Sequence, residues 1–289
     1  MPKASVVLAS KGLKQNSINL YLFQLKTLNG GVEPTTYKTF EDTDAVDRKL
    51  EPYATNSKRT FYIALVAFLP ETNKARKYYY SKMMEINKAS ESNTEKSQKQ
   101  KDNWMSQQEV MKVWKDLGKK ADEIYEKKTT MYASDFLTLK KFVLLSLFVL
   151  QAPRRALDYT EMIIVPQYEE GMDKKYNYMS LNDKTFYFNN YKTASKYKTQ
   201  SVPINPELFD IITAYKIDGF LLGDEINPLR VGNVTGLFNS IFKKKVSVSM
   251  LRNIFMTNKY GGNIEEMRND IKNMATSIHV AVNHYIKKD

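Results

Sequence analysis

The chain has no cysteine and only two histidines, His279 and His284, among 289 residues. Without thiols there are no disulfides, thiolate metal sites or cysteine nucleophiles. Two imidazoles leave little from which to build a metal centre and almost no choice of base for a Ser-His-Asp site, so no metal is expected. The most apolar run, Phe142 to Leu150, is about half the roughly 20 residues that a membrane-spanning helix needs, and it reads as a buried helix. The first residues lack the charged start, apolar stretch and small-residue cleavage site of a secretory signal, so the expected location is cytoplasmic or nuclear, not secreted. No internal repeat and no glycine-rich phosphate loop is present.

What is abundant is positive charge. Against 32 Asp and Glu stand 44 Lys and Arg, a formal net charge of +12, which favours a polyanionic partner. Hydrophobic residues make up 42% of the chain, enough to bury a core in one large or two ordinary domains. A division into two is favoured by the stretch from Asn87 to Asn103, which is almost wholly Lys, Glu, Ser, Gln and Asn and reads as a solvated linker or exposed helix end. The expected organisation is a helical domain over 1–86, a polar linker over 87–103 and a second domain over 104–289.

In the first domain, Ile18, Tyr21, Leu22, Leu25 and Leu28 recur at helical spacing, with Ser17 as N-cap and Gly30-Gly31 as the stop. A second helix should start near Asn56 or Ser57 and end before Pro70, with Lys58 and Arg59 exposed on its first turn. Basic residues there oppose the helix dipole and hint at a phosphate neighbour; two solvated side chains are the ordinary alternative. In the second domain, Ser106 and Glu109 have capping-box spacing, predicting a helix start at Ser106 or Gln107. A strongly apolar helix should run from Ser134 to Leu150 and stop before Pro153. Between Lys184 and Ile204 the period shortens to two, predicting an antiparallel hairpin from Thr185–Phe188 and Gln200–Ile204 with a Lys-rich connection. The remainder reads as helices broken at Pro228, Gly232 and Gly261-Gly262.

Four segments of the second domain follow one another in a meaningful order. Ala152-Pro153-Arg154-Arg155-Ala156-Leu157-Asp158 resembles the first arginine box of the tyrosine recombinases, with Arg155 and, three positions on, Asp158 in the matching places. Tyr191-Lys192-Thr193, leading to Val202-Pro203-Ile204, is similar to the family's lysine hairpin. Ser249-Met250-Leu251-Arg252 resembles the second arginine box, with Ser249 where histidine is usual. Met274-Ala275-Thr276-Ser277 resembles the Leu-Gly-His-Ser box, with Thr276 in place of a second histidine, and Tyr285 lies nine positions beyond Thr276, the family's distance to its nucleophile. The Pro-Arg-Arg form is similar, more narrowly, to recombinases of crypton-type mobile elements and large DNA viruses. Singly, each fragment has an ordinary reading: Arg155 as a helix cap, Lys192 as a solvated turn, Arg252 as a surface ion pair, Tyr285 as one of 19 tyrosines. In this order and spacing the functional reading outweighs those.

The resemblance implies a mainly α protein with a small antiparallel β-sheet: a DNA breaking-rejoining catalytic fold beside a helical core-binding domain, together clamping a duplex. It implies that Tyr285 attacks a DNA phosphate to give a 3′-phosphotyrosyl link. Arg155 and Arg252 would hold the non-bridging oxygens, and Lys192 would protonate the 5′ oxygen, with Lys196 and Lys198 of the same connection as alternatives for the acid or as DNA contacts. Ser249 and Thr276 would donate hydrogen bonds, Asp158 would orient Arg155 or its surroundings, and Lys58 and Arg59 would contact DNA. No cofactor is needed, because the covalent link conserves the phosphodiester energy for rejoining. The expected partner is double-stranded DNA, engaged by a dimer or tetramer, with no membrane involved. A type IB topoisomerase-like relaxing enzyme is the alternative within the same chemistry, and a catalytically dead DNA-binding protein the alternative outside it. The four residues after Tyr285 look too short for the helix exchange by which many members assemble.

Overall fold

The computed structural model describes residues 3–92, 95–127, 130–216, 218–260 and 264–285. The chain forms two compact units, Met1–Asn93 and Thr94–Asp289. Both are mainly helical, and the second carries a small four-stranded sheet. Among the described residues no helix is long and apolar enough to cross a membrane, and no group of three or more Asp, Glu, His or Cys could hold a metal ion.

The first unit contains α1 (Ala4–Ala9), α2 (Gln15–Leu28), α3 (Thr43–Leu50), α4 (Thr55–Phe68) and α5 (Lys74–Ser92). Helix α2 starts at Gln15, two residues before the expected cap, with Lys14 at the N-cap position, because nothing in Gln15 or Asn16 opposes an earlier start; Ser17 lies inside it. Its end is closed by two glycines at positive φ, 67° for Gly30 and 86° for Gly31, and the Gly31 N–H donates to Lys26 O at 2.7 Å. That six-residue closure caps carbonyls the helix leaves open and favours glycine. Leu25, Leu28, Phe40, Leu50, Leu65, Phe68 and Tyr79 form the core of this unit. Lys58 and Arg59 are half-buried rather than exposed, since Arg59 Nε donates to Asn87 Oδ1 on α5.

The second unit opens with α6 (Gln98–Asn103), so much of the polar stretch expected as linker is helical. Ser97 caps it: its Oγ accepts from Gln100 N at 3.3 Å while Gln100 Oε1 accepts from Ser97 N at 2.9 Å. Next come α7 (Gln107–Lys127) and α8 (Ala133–Val149). The Ser106 capping box is formed, with Glu109 Oε2 accepting from Ser106 N at 2.7 Å and Ser106 Oγ accepting from Glu109 N at 3.1 Å. Residues Phe142 to Val149 of α8 are all buried. This second half of the helix is buried on every side, and its one hydroxyl, Ser146, is satisfied by Trp114 Nε1 at 2.8 Å and Phe142 O at 2.8 Å.

After α9 (Ala156–Thr160) come strands β1 (Met162–Val165), β2 (Asn177–Ser180) and β3 (Thr185–Phe188), the short helix α10 (Ala194–Tyr197) and β4 (Gln200–Pro203). The strands lie in the order β1-β2-β3-β4. The expected hairpin is β3 against β4, with Phe186 opposite Val202, and β2 also pairs antiparallel with β3. The sheet is nevertheless mixed, since β1 runs parallel to β2. Helices α11 (Pro206–Tyr215), α12 (Val231–Phe242), α13 (Val248–Tyr260), α14 (Ile264–Asn273) and α15 (Ile278–Val280) follow, and a single wide π-turn, Ala281–Tyr285, completes the described chain. Gly232 does not break a helix: it is the second residue of α12, where the backbone N–H would lack a helical partner in any case. The break expected at Gly261-Gly262 and the tail after Tyr285 lie outside the described residues.

Candidate active site

The chain between α8 and α9 delivers two adjacent arginines to different places. Arg154 goes inward and is 1% exposed. Its Nε pairs with Asp158 Oδ2 at 2.9 Å, and its Nη1 donates to Gln200 Oε1 at 2.9 Å and Asn273 O at 2.6 Å. The guanidinium lies over the Phe188 ring, 3.7 Å from its centroid. Arg154 therefore ties α9, β4 and the end of α14 together. Asp158 is fully buried and pairs with Arg154, so of the two expectations, orienting Arg155 or its surroundings, the direct contact is with the surroundings. Burial raises its carboxyl pKa, and the Arg154 charge and hydrogen bond pull it back.

Arg155, half-buried, faces a cavity of about 640 Å³. Lys192 and Lys196 reach the same cavity from the connection between β3 and β4. Ser249 and Arg252 reach it from α13, Thr276 from the turn after α14, and Tyr285 from the π-turn. Seven side chains picked out in the sequence, spread over more than a hundred positions, thus border one space. Four of them are cationic, and no carboxylate is among the described residues that line it. Lys198 is exposed and does not line the cavity; Lys58 and Arg59 belong to the other compact unit.

Arg252 is the least ordinary of the set. It is 2% exposed, not a surface ion pair, and its Nε and Nη2 are buried without a hydrogen-bond partner. Burial depresses its pKa to about 10, with the neighbouring Tyr285 working in the opposite direction and Arg155 adding to the depression, so it stays charged at neutral pH. Its guanidinium lies 4.6 Å from the centroid of the Tyr285 ring. Buried donors of this kind are ordinarily satisfied, and a cation held with open donors beside a cavity is a site shaped for an anion.

The supporting contacts come from residues the sequence did not single out. Ala275 adopts φ 50°, and its carbonyl, turned toward the site, accepts from Thr193 Oγ1 at 3.1 Å and Arg155 Nη1 at 3.4 Å. Tyr197 lines the cavity and donates to Thr276 O at 3.4 Å. Asn177 fixes the lysine-bearing connection: its Nδ2 donates to Asp158 O and Asn190 O at 2.9 and 3.0 Å, and its Oδ1 accepts from Asn189 N and Asn190 N at 2.8 Å each. An amide using both donors and both lone pairs is a rigid joint. The only advance signal for Tyr197 was an aromatic residue within a Lys-rich turn; Asn177 gave none. The position of the His279 side chain lies outside what is described.

A second cavity of about 610 Å³, lined by Tyr125, Phe136, Leu139, Tyr215 and Ile226 among others, is mostly apolar and has no comparable gathering of like charge.

No family model matches this chain, and no curated protein matches it. Among solved structures it is similar to the crystal structure of XerA recombinase, with 11% sequence identity and a TM-score of 0.44 over 99% of this chain and 93% of that one.

Proposed function

We propose that this protein cleaves and rejoins DNA through a 3′-phosphotyrosyl intermediate, acting as a site-specific recombinase or integrase of the tyrosine type on double-stranded DNA. The observation that carries the reading is the cavity bordered by Arg155, Lys192, Arg252 and Tyr285, with no carboxylate among its described lining and two buried Arg252 donors unpaired. A phosphodiester resists attack because its charge repels nucleophiles and its alkoxide leaves poorly, so a site without metal must supply fixed positive charge and an acid.

In this reading Arg155 and Arg252 bind the non-bridging oxygens and stabilise the charge that grows on them as the pentavalent state forms. The Tyr285 phenol oxygen gives up its proton to water and forms a bond to phosphorus as the bond to the 5′ oxygen breaks, and Lys192 or Lys196 gives that leaving oxygen its proton. Reversal by a 5′ hydroxyl rejoins the strand and frees the tyrosine. Ser249 and Thr276 donate hydrogen bonds to phosphate oxygens but carry no charge, so turnover is expected to be slower than with histidine at those places. Assembly as a dimer or tetramer on paired sites, with the helical first unit as the second half of the DNA grip, completes the reading.

The test is incubation with nicked suicide duplexes and supercoiled plasmid, quenched in detergent. A covalent protein–DNA adduct that is lost in Tyr285→Phe is expected. Binding without an adduct overturns the reading, while relaxation of single plasmids with no exchange between paired sites moves the protein to the topoisomerase side of the same chemistry.

A further inference from the structure

Next to the candidate active site lies another cavity, of about 320 Å³, lined by polar and basic residues but for Met250, and the two share Ser249. Lys99 reaches it from α6, Lys245 and Ser247 from the loop before α13, and Ser249 and Asn253 from the first turns of α13; no carboxylate is among its described lining. The arrangement is built rather than incidental. Asn103 Oδ1 accepts from Lys245 N at 2.8 Å, joining α6 to the loop, and Asn239 Oδ1 accepts from Val246 N at 2.9 Å. Ser247 caps α13, its Oγ accepting from Met250 N at 3.2 Å, and Ser249 and Met250 of the first turn line the cavity. Independently, Asn253 is 5% exposed and its Oδ1 is buried without a partner.

We propose that this second cavity holds the backbone phosphate next to the scissile one on the same DNA strand, between Lys99 and Lys245, with Asn253 and the start of α13 completing the contact. Ser249 is the threshold between the two positions, and its small side chain touches both. The inference rests on the proposed function for the identity of the anion, and on the shared wall for its place along the strand. A phosphate held here sets the register of the strand, so that the neighbouring phosphate arrives in front of Tyr285.

The experiment measures duplex affinity as a function of salt, alongside adduct formation, for the full chain and for Lys99→Gln, Lys245→Gln and the double variant. Both lysines are exposed, so the fold is expected to hold, and thermal melting checks it. Each phosphate neutralised contributes about 0.9 to the slope of log affinity against log salt. The double variant is expected to lose about one unit of slope, the two single changes to be less than additive because they serve one phosphate, and adduct formation at saturating DNA to fall. An unchanged slope in the double variant overturns this inference and leaves the proposed function standing. A reduced slope in a protein that forms no adduct supports the phosphate site while overturning the cleavage chemistry; a full chain that binds no duplex overturns both.

Discussion

At the scale of single residues, Arg252 is the group on which the site turns. It is nearly fully buried, faces the Tyr285 ring and has two unmatched donors. Arg252→Lys keeps a charge but loses the planar fork, so it should lower adduct formation by at least 100-fold, on the order of 3 kcal/mol of transition-state stabilisation, with duplex affinity changed far less; equal losses in both would contradict the role assigned. Lys198 presents the opposite case. At φ 56° and ψ −161° it occupies backbone space that essentially only glycine enters freely. Because its side chain is exposed and packs against little, Lys198→Gly should raise the free energy of unfolding by about 1 kcal/mol, read from urea denaturation, while weakening DNA binding if the ammonium contacts phosphate.

At the scale of elements, the buried pair Arg154 and Asp158 holds α9 to β4 and α14. Removing one partner strands the other charge in the interior, so Asp158→Ala should cost about 3–5 kcal/mol of stability. Replacing both by apolar residues of similar volume should cost less than the single change, and urea titrations of the three proteins decide it. The start of α7 carries a pH-sensitive cap. Hydrogen bonds from Ser106 N and Oγ hold the Glu109 carboxyl below its usual 4.5. A depressed acid contributes fully above its unfolded value and loses that contribution as pH falls through its folded one. The full chain should therefore melt above Glu109→Gln at pH 7, and the gap should close as pH is taken well below 4.5; a gap that persists in acid would show that the cap does not act through the carboxylate.

Much of this element structure was legible in the sequence, and the failures have physical causes. The capping box at Ser106, the buried run of α8 and the pairing of β3 with β4 follow from local rules: a cap, an apolar period and an alternating one. Strands β1 and β2 escaped because neither alternates apolar with polar residues, Met162–Val165 being apolar throughout. All four positions of Asn177–Ser180 are buried, which erases the alternation that marks a half-exposed strand. Their parallel pairing depends on a long connection that leaves no sequence signature.

At the scale of the whole molecule, the residues that border the cavity were legible through their order along the chain, while their partners were not. Arg155, Lys192, Ser249, Arg252, Thr276 and Tyr285 stand in a spacing that can be compared, and they line one cavity. The pairing of Asp158 with Arg154 could not be read the same way, since two adjacent arginines look alike until burial separates them. Nor could Tyr197 or the Ala275 carbonyl, whose contributions depend on backbone direction alone. The excess of positive charge, +12 overall, gains meaning only from its location. Four cations around one cavity and two more beside it, with no acid among the described linings, form a local field that attracts a polyanion whatever the composition elsewhere.

The most direct test of that arrangement is to trap the protein on nicked DNA, digest the adduct with nuclease and protease, and map by mass spectrometry the residue that carries the nucleotide. A 3′-nucleotide on the phenol oxygen of Tyr285 is the predicted result. Modification of Tyr197, the other phenol in the cavity, or DNA retained with no covalent nucleotide on any tyrosine, would contradict it.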